Sequence, residues 1–139
     1  MAYEFLEHTA DLKFRASGKT LQEALVEAGR ALTEAVAGGS DIKPKVGREF
    51  TITVHKPEIL VHDFLQELIF LFSTEQLLFS GYDLKLKEAI GYRLTAKVTG
   101  EKYDPKRHRL LKEVKAATYH DMKVMGGEDG WVIEVVCDT

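Results

Sequence analysis

Residues 59–73 are the most apolar stretch of the chain and place the strongest constraint on its fold. Read as a helix that begins near Pro57, the stretch carries apolar side chains around most of its circumference. Its polar residues form one narrow stripe: His62, Asp63, Gln66 and Glu67. A helix that is apolar nearly all round is buried, so we expect this one at the centre of the fold or under a partner. It is too short to span a bilayer.

A second helix is predicted after Gly18. Thr20 and Glu23 form a T-x-x-E capping box, in which each side chain accepts a hydrogen bond from a free backbone N–H at the start of the helix. Apolar residues then follow at helical spacing: Leu21, Ala24, Leu25, Ala28, Leu32 and Ala35. The pair Gly38 and Gly39 predicts the end of this helix.

Alternating apolar and polar residues predict strands around the two helices. The predicted strands cover residues 3–6, 12–17, 50–54, 82–88, 92–99 and 113–120, and residues 121–125 and 131–137 form a closing hairpin. Residues 41–49 and 100–112 are predicted loops, strands are predicted to resume after Ser80-Gly81, and Gly91 is a predicted turn. Strands and helices in runs, without strict alternation, indicate an α+β fold. We therefore expect one domain, residues 1–139, with a mixed or antiparallel sheet and two main helices packed on one face.

Composition argues against several classes of protein. The formal net charge is −3, whereas proteins that wrap nucleic acid around their own surface are basic. Cys137 is the single cysteine, so no internal disulfide forms and a reducing cytoplasm fits best. The N-terminus lacks a basic start followed by an apolar run, so no secretory signal is predicted. No glycine-rich phosphate loop, H-E-x-x-H motif or zinc-binding cysteine pair is found.

The segment EHTAD, residues 7–11, is a polar cluster between apolar neighbours. Thr9 and Asp11 are good turn formers, and His8 could satisfy a backbone carbonyl, so taken alone the segment favours an ordinary surface turn.

The C-terminal segment VIEVVCDT suggests a functional site instead. It is apolar as far as Cys137 and ends in Asp138 and Thr139, whose carboxylates are the hard oxygen ligands that Ca²⁺, Mg²⁺ and Mn²⁺ prefer. If the last strand lies beside the first, Asp11 could join them as a ligand. A solvated terminus is the alternative reading.

The segment EVKAATYH, residues 113–120, is a third candidate. On a strand, Lys115 and Tyr119 would share one face, and Lys112 and His120 would share the other. Lys115 is then either an ordinary ion-pair partner or a functional cation, and the residues alone favour the ion pair.

Several of these segments together resemble the archease family over essentially the whole chain. They are HTAD at 8–11, GKTLQEAL at 18–25, GEKYDPKRH at 100–108, EVKAATYH at 113–120, the apolar helix before FSTE, and the Trp131 hairpin that ends in an aspartate. The resemblance implies a small α+β protein that is not an enzyme. It would be a cofactor of the RtcB-type RNA ligase of tRNA splicing, which works through a guanylylated histidine.

The resemblance also implies specific roles. The protein would promote guanylylation and multiple turnover of the ligase and broaden its use of nucleoside triphosphates. A divalent metal, calcium in the family and Mg²⁺ or Mn²⁺ as alternatives in the cell, would bind at Asp11, Asp138 and Thr139. Lys115 would be the functional lysine, and His8 and His120 would be supporting residues. Thr139 departs from the family, which often ends in an apolar residue.

The expected partner is the ligase, with RNA contacted only indirectly, no membrane and a monomeric state. Two rival functions stay open. One is a stand-alone metal-dependent hydrolase or phosphotransferase that uses Asp11 and Asp138. The other is a chaperone or modulator of DNA- and RNA-processing proteins, with the apolar helix at 59–73 as its contact surface.

Overall fold

The computed structural model describes residues 1–7 and 11–139. Its elements, in chain order, are β1 (Ala2–Leu6), β2 (Leu12–Gly18), α1 (Leu21–Ala37), β3 (Val46–Val54), α2 (Pro57–Glu75), β4 (Leu77–Glu88), β5 (Tyr92–Lys102), β6 (Ala116–Ala117), β7 (Lys123–Gly127) and β8 (Gly130–Asp138). All strand pairs in the described residues are antiparallel. The α+β class with two main helices is therefore confirmed.

The strands form two sheets, whereas one was expected. One sheet has the order β1-β2-β8-β6, with β7 also paired to β8, and the other has the order β3-β5-β4. Both helices contact both sheets. The composition of α2 explains this arrangement, because a helix that is apolar on nearly every side needs cover from more than one direction. A single sheet would have left one side of α2 in water.

The prediction that α2 is central is correct. Its buried residues face several directions: Leu60, Val61, Phe64, Leu65, Leu68, Ile69 and Leu71. Among the apolar residues of α2, Phe70 is largely exposed, with 55% of its surface accessible to solvent. No helix in the described part of the chain is long and apolar enough to cross a membrane.

The predicted capping box of α1 is present. The Thr20 hydroxyl accepts a hydrogen bond from the backbone N–H of Glu23 at 3.1 Å, and the Glu23 carboxylate accepts one from the backbone N–H of Lys19 at 2.8 Å. A cap of this kind is worth about 1 kcal/mol of helix stability. It also fixes the direction in which the chain leaves β2.

Three local predictions are wrong. Strand β3 begins at Val46, inside the predicted loop 41–49. The strand predicted to resume after Ser80-Gly81 begins earlier, at Leu77, and contains a β-bulge where Gly81 lets it pass close to the side chain of Thr99. The predicted strand 113–120 shrinks to Ala116–Ala117, because this segment lies at a sheet edge and pairs only with the end of β8.

Candidate functional site

The end of β8 brings together two of the candidate segments. In the β2–β8 ladder, Leu12 pairs with Cys137. Because the strands are antiparallel, extending this register by one residue places Asp11 beside Asp138. Asp138 is exposed and Asp11 is half-buried. The last strand therefore lies beside β2 and not beside the first strand, β1, and Asp11 directly precedes β2.

Asp138 belongs to the outer face of the five-stranded sheet. Side chains alternate along β8, so Asp138 shares a face with Glu134, which is ion-paired to Arg15 of β2 at 2.8 Å. Cys137 points the other way and is fully buried. The carboxylates of Asp138 and Glu134 thus lie on the side of the sheet away from the core.

The Cys137 thiol is affected by the charges of both aspartates. Burial, followed by the negative charges of Asp138 and Asp11, raises the pKa of the Cys137 thiol to about 12. A thiol with such a pKa stays protonated near neutral pH and is a poor nucleophile. Cys137 is therefore a core residue, and the local negative charge belongs to the two aspartates.

The third candidate segment lies on the other side of β8. Ala116 pairs with Asp138, and the backbone N–H of Lys115 donates to the carbonyl oxygen of Asp138 at 2.8 Å. The Lys115 side chain is exposed and makes no ion pair within residues 1–7 and 11–139. The backbone of Lys115 is thus tied to Asp138, and its exposed ammonium group makes no ion pair in the described residues.

The polar stripe of α2 holds this third segment in place. The side-chain oxygen of Gln66 accepts a hydrogen bond from the backbone N–H of Ala117 at 3.0 Å. The His62 ring stacks on Tyr119 with a centroid distance of 4.4 Å and an interplanar angle of 14°. The few polar residues of the central helix therefore position the segment that carries Lys115.

The donor set suits a hard divalent cation. Asp11 and Asp138 supply carboxylate oxygens, and the partly buried Thr139 follows directly. Within the described residues, no group of three or more His, Cys, Asp or Glu side chains is arranged to hold a metal. An ion at this position would therefore need oxygens of Thr139, backbone or water to reach the six to eight ligands typical of Ca²⁺.

Of the two histidines predicted to support the site, the structure describes only His120. His8 lies outside the described residues. His120 follows Thr118, whose backbone N–H donates to the carbonyl oxygen of Val136. The Nε2 atom of His120 is 3.3 Å from the Asp121 carboxylate. His120 lies in a turn between Thr118 and Lys123, which pairs with Glu134, so the register does not place it next to Asp138. Its supporting role stays a prediction.

Lys112 is closer to the acidic pair than the strand interpretation implied. It lines a surface groove together with Asp11, Leu6 and Leu111. The backbone N–H of Leu111 donates to Val36 at 2.8 Å, which brings this loop over the end of α1. The assignment of Lys112 and Lys115 to opposite faces of one strand is wrong, because neither residue lies in β6.

A buried ionic cluster below this loop was missed by the sequence analysis. The Glu101 carboxylate accepts a hydrogen bond from the backbone N–H of Lys43 at 2.6 Å, is ion-paired to Arg107, and lies 3.2 Å from Nε2 of the buried His108. The Nδ1 atom of His108 accepts a hydrogen bond from the backbone N–H of Asp104 at 2.9 Å. The turn-forming sequence DPKRH was the available signal, but it does not reveal the partner at Glu101.

The Glu101 cluster fixes the start of the loop that leads to Lys115. The hydrogen bond from the backbone N–H of Lys43, followed by the nearby His108 ring and the Arg107 guanidinium, lowers the pKa of Glu101 to about 2. The carboxylate is therefore charged at all ordinary pH values, and its partners are held in place by a full negative charge.

Comparison with known proteins agrees with this fold. Residues 3–139 match the model of the Archease protein family (MTH1598/TM1083). The chain is 38% identical to Protein archease of Pyrococcus abyssi, over 98% of this chain and 97% of that protein. It is also 38% identical to Protein archease of Methanopyrus kandleri, over 99% of both chains.

A solved structure resembles the whole fold. The solution structure of Methanobacterium thermoautotrophicum protein 1598 matches with a TM-score of 0.85 and 32% identity, covering 99% of this chain and 98% of that one. The similarity in sequence and in structure thus extends over nearly the full length of the chain, and the chain belongs to the archease family.

Proposed function

We propose that this protein activates an RtcB-type RNA ligase of tRNA splicing and is not itself an enzyme. It would promote guanylylation of the ligase, allow multiple turnover and broaden the range of nucleoside triphosphates that the ligase accepts. The observation that carries the proposal is the meeting of Asp11, Asp138 and Lys115 at the end of β8 in a member of the archease family.

Each residue has a distinct task in this proposal. Asp11 and Asp138, with Thr139, would hold a divalent cation such as Ca²⁺, Mg²⁺ or Mn²⁺. When bound, the cation supplies positive charge that phosphate oxygens can approach. Lys115 adds a flexible ammonium group, which binds phosphate as a point charge. The backbone of Lys115 is held by Asp138, so the lysine and the acidic pair stay in a fixed relationship.

The structure does not offer the apolar contact surface on which the rival chaperone function was based. That surface was the apolar helix, and α2 buries most of its apolar residues between the two sheets. No contact in the structure favours a stand-alone hydrolase, so intrinsic hydrolysis is kept as an outcome of the experiment below.

The experiment follows ligase guanylylation with labelled GTP at substoichiometric amounts of the protein. Wild-type protein is expected to restore repeated ligation by a stalled ligase, whereas Asp138→Asn and Lys115→Ala should not. Asp83→Asn changes an exposed aspartate on β4, away from the site, and should act like wild type. If the protein alone hydrolyses GTP or RNA, or if all four proteins stimulate equally, the proposal is wrong.

A further inference from the structure

The outer face of the three-stranded sheet carries a regular pattern of side chains. Leu84, Leu94 and Ala96 point into the core, so their neighbours along β4 and β5 point outward. The register of the sheet aligns the outward residues in three rows: Thr53–Arg93–Lys87, Thr51–Thr95–Lys85 and Glu49–Lys97–Asp83.

Positive charge is concentrated in the first two rows. They hold Lys85, Lys87 and Arg93 with no acidic residue, whereas Lys97 in the third row lies between Glu49 and Asp83. The three cations of the first two rows are exposed. In the part of the chain that the structure describes, none of the three forms an ion pair. The net charge of −3 for the whole chain conceals this local excess.

We propose that these two rows, which we call the basic face (Lys85, Lys87, Arg93, Thr51, Thr53 and Thr95), bind the phosphate backbone of single-stranded RNA. Arginine, lysine and threonine are donors that proteins use toward phosphate oxygens. The Cα atoms of Lys85 and Lys87 are two strand positions apart, about 6.8 Å, so their ammonium groups can reach different phosphates. The rows contain no aromatic side chain on which a base could stack, so binding is independent of sequence.

A protein partner fits the basic face less well. Protein interfaces have an apolar or aromatic centre and are depleted in lysine. The two rows contain only lysine, arginine and threonine, which leaves no apolar centre to dehydrate. A polyanion needs no such centre, because its affinity comes from neutralised phosphates and released counterions.

This proposal departs from the expectation that RNA is contacted only through the ligase. The basic face belongs to the β3-β5-β4 sheet, whereas Asp11 and Asp138 border the other sheet. Direct RNA binding therefore does not depend on the metal site, and it can be measured with the protein alone.

The test measures the anisotropy of a labelled single-stranded RNA of about 12 nucleotides, a length near the site sizes of single-strand binders. Three neutralised phosphates predict a slope of about −2 for log K against log salt concentration, or about 20-fold weaker binding at 200 mM than at 50 mM salt. The variant Lys85→Gln/Lys87→Gln/Arg93→Gln should lose this salt dependence and most of the binding.

The control removes the same number and kinds of charge elsewhere, in Lys19→Gln/Lys106→Gln/Arg109→Gln. It should bind RNA like wild type, and thermal melting checks that both triple variants fold. Asp138→Asn should lose ligase activation but keep RNA binding. A failure of the RNA proposal can therefore be distinguished from a failure of the proposed function. The proposal is overturned if wild type binds no RNA at low salt, if both triple variants lose binding equally, or if the basic-face variant loses only ligase binding.

Discussion

Lys115 donates its backbone N–H to the carbonyl oxygen of Asp138 at 2.8 Å, while its side chain remains exposed. The main chain of the lysine is thus tied to the residue that also supplies a carboxylate to the site. Because the tie uses backbone atoms, a substitution of the side chain leaves it intact. This separates the role of the ammonium group from the structure of the segment.

Lys115→Ala is therefore expected to affect activation without affecting the fold. An exposed side chain of this kind contributes within about 0.5 kcal/mol to stability, so the melting temperature should change little. Stimulation of ligase guanylylation should fall about tenfold or more, which corresponds to the loss of about 1.4 kcal/mol of interaction. Guanylylation measured against protein concentration, beside a thermal melt, gives both quantities.

Lys106→Ala is the matched control for Lys115→Ala. Lys106 is exposed in the turn after β5, whereas Lys112 lines the groove beside Asp11 and is too close to serve. Normal activation by Lys115→Ala, or a loss explained by early melting, would leave Lys115 without a functional role.

Asp11→Asn and Asp138→Asn are each expected to weaken calcium binding by roughly two orders of magnitude, because the affinity of hard cations follows the number of charged ligands. The amide keeps the shape of the side chain and removes only its charge. Calorimetric titration with Ca²⁺ measures the effect, and Asp83→Asn serves as the control. Affinity like that of wild type in either variant removes that aspartate from the ligand set.

The helices were predictable because their signals are local. The Thr20 capping box and the apolar periodicity of α2 each lie within one segment, and the structure confirms both. The pairing of Leu12 with Cys137 joins the two ends of the chain, and sequence spacing carries no information about such a contact. The residues alone therefore predicted a contact between Asp11 and Asp138 only if the last strand lay beside the first. The family resemblance supplied the rest of that expectation.

The errors arise where distant contacts override local patterns. Residues 113–120 alternate like a strand, yet only two of them pair, and Gln66 of α2 binds the backbone at Ala117. Ser80-Gly81 is a local boundary signal, yet β4 begins before it and pairs with β5 on both sides of it. Arg107 and His108 lie in the same segment as Glu101. The backbone N–H of Lys43 comes from a separate loop, so this segment alone could not reveal the whole cluster.

Position 100 in β5 is expected to tolerate only glycine. A Cβ atom at this position would meet the carbonyl oxygen of Leu78 at the bulge between β4 and β5. Gly100→Ala should therefore destabilise the fold by about 1–3 kcal/mol through overpacking. Gly47→Ala in β3 is the control, since its Cβ would make only ordinary contacts at 3.8 Å and beyond. Denaturant unfolding measures both, and equal stabilities would show that the sheet relaxes around Gly100.

Glu101 is expected to make stability depend on pH in the acid range. Its pKa falls from an ordinary 4.5 to about 2 in the folded chain, chiefly through the hydrogen bond from Lys43. A carboxyl with a lowered pKa stabilises the folded state above its unfolded pKa, and this stabilisation is lost as pH falls through the folded pKa. Glu101→Gln lacks the contribution altogether. The melting temperature of wild type should exceed that of the variant by a constant amount above about pH 4.5.

Between about pH 4.5 and pH 2, the difference between wild type and Glu101→Gln should shrink toward zero as Glu101 becomes protonated in both folded and unfolded chains. Glu128→Gln, at an exposed position in the β7–β8 turn, is the control and should melt like wild type at every pH. Thermal melts by circular dichroism across this range provide the measurement. A difference that stays constant down to pH 2 would mean that Glu101 stabilises the loop by shape and hydrogen bonding alone, without a contribution from its charge.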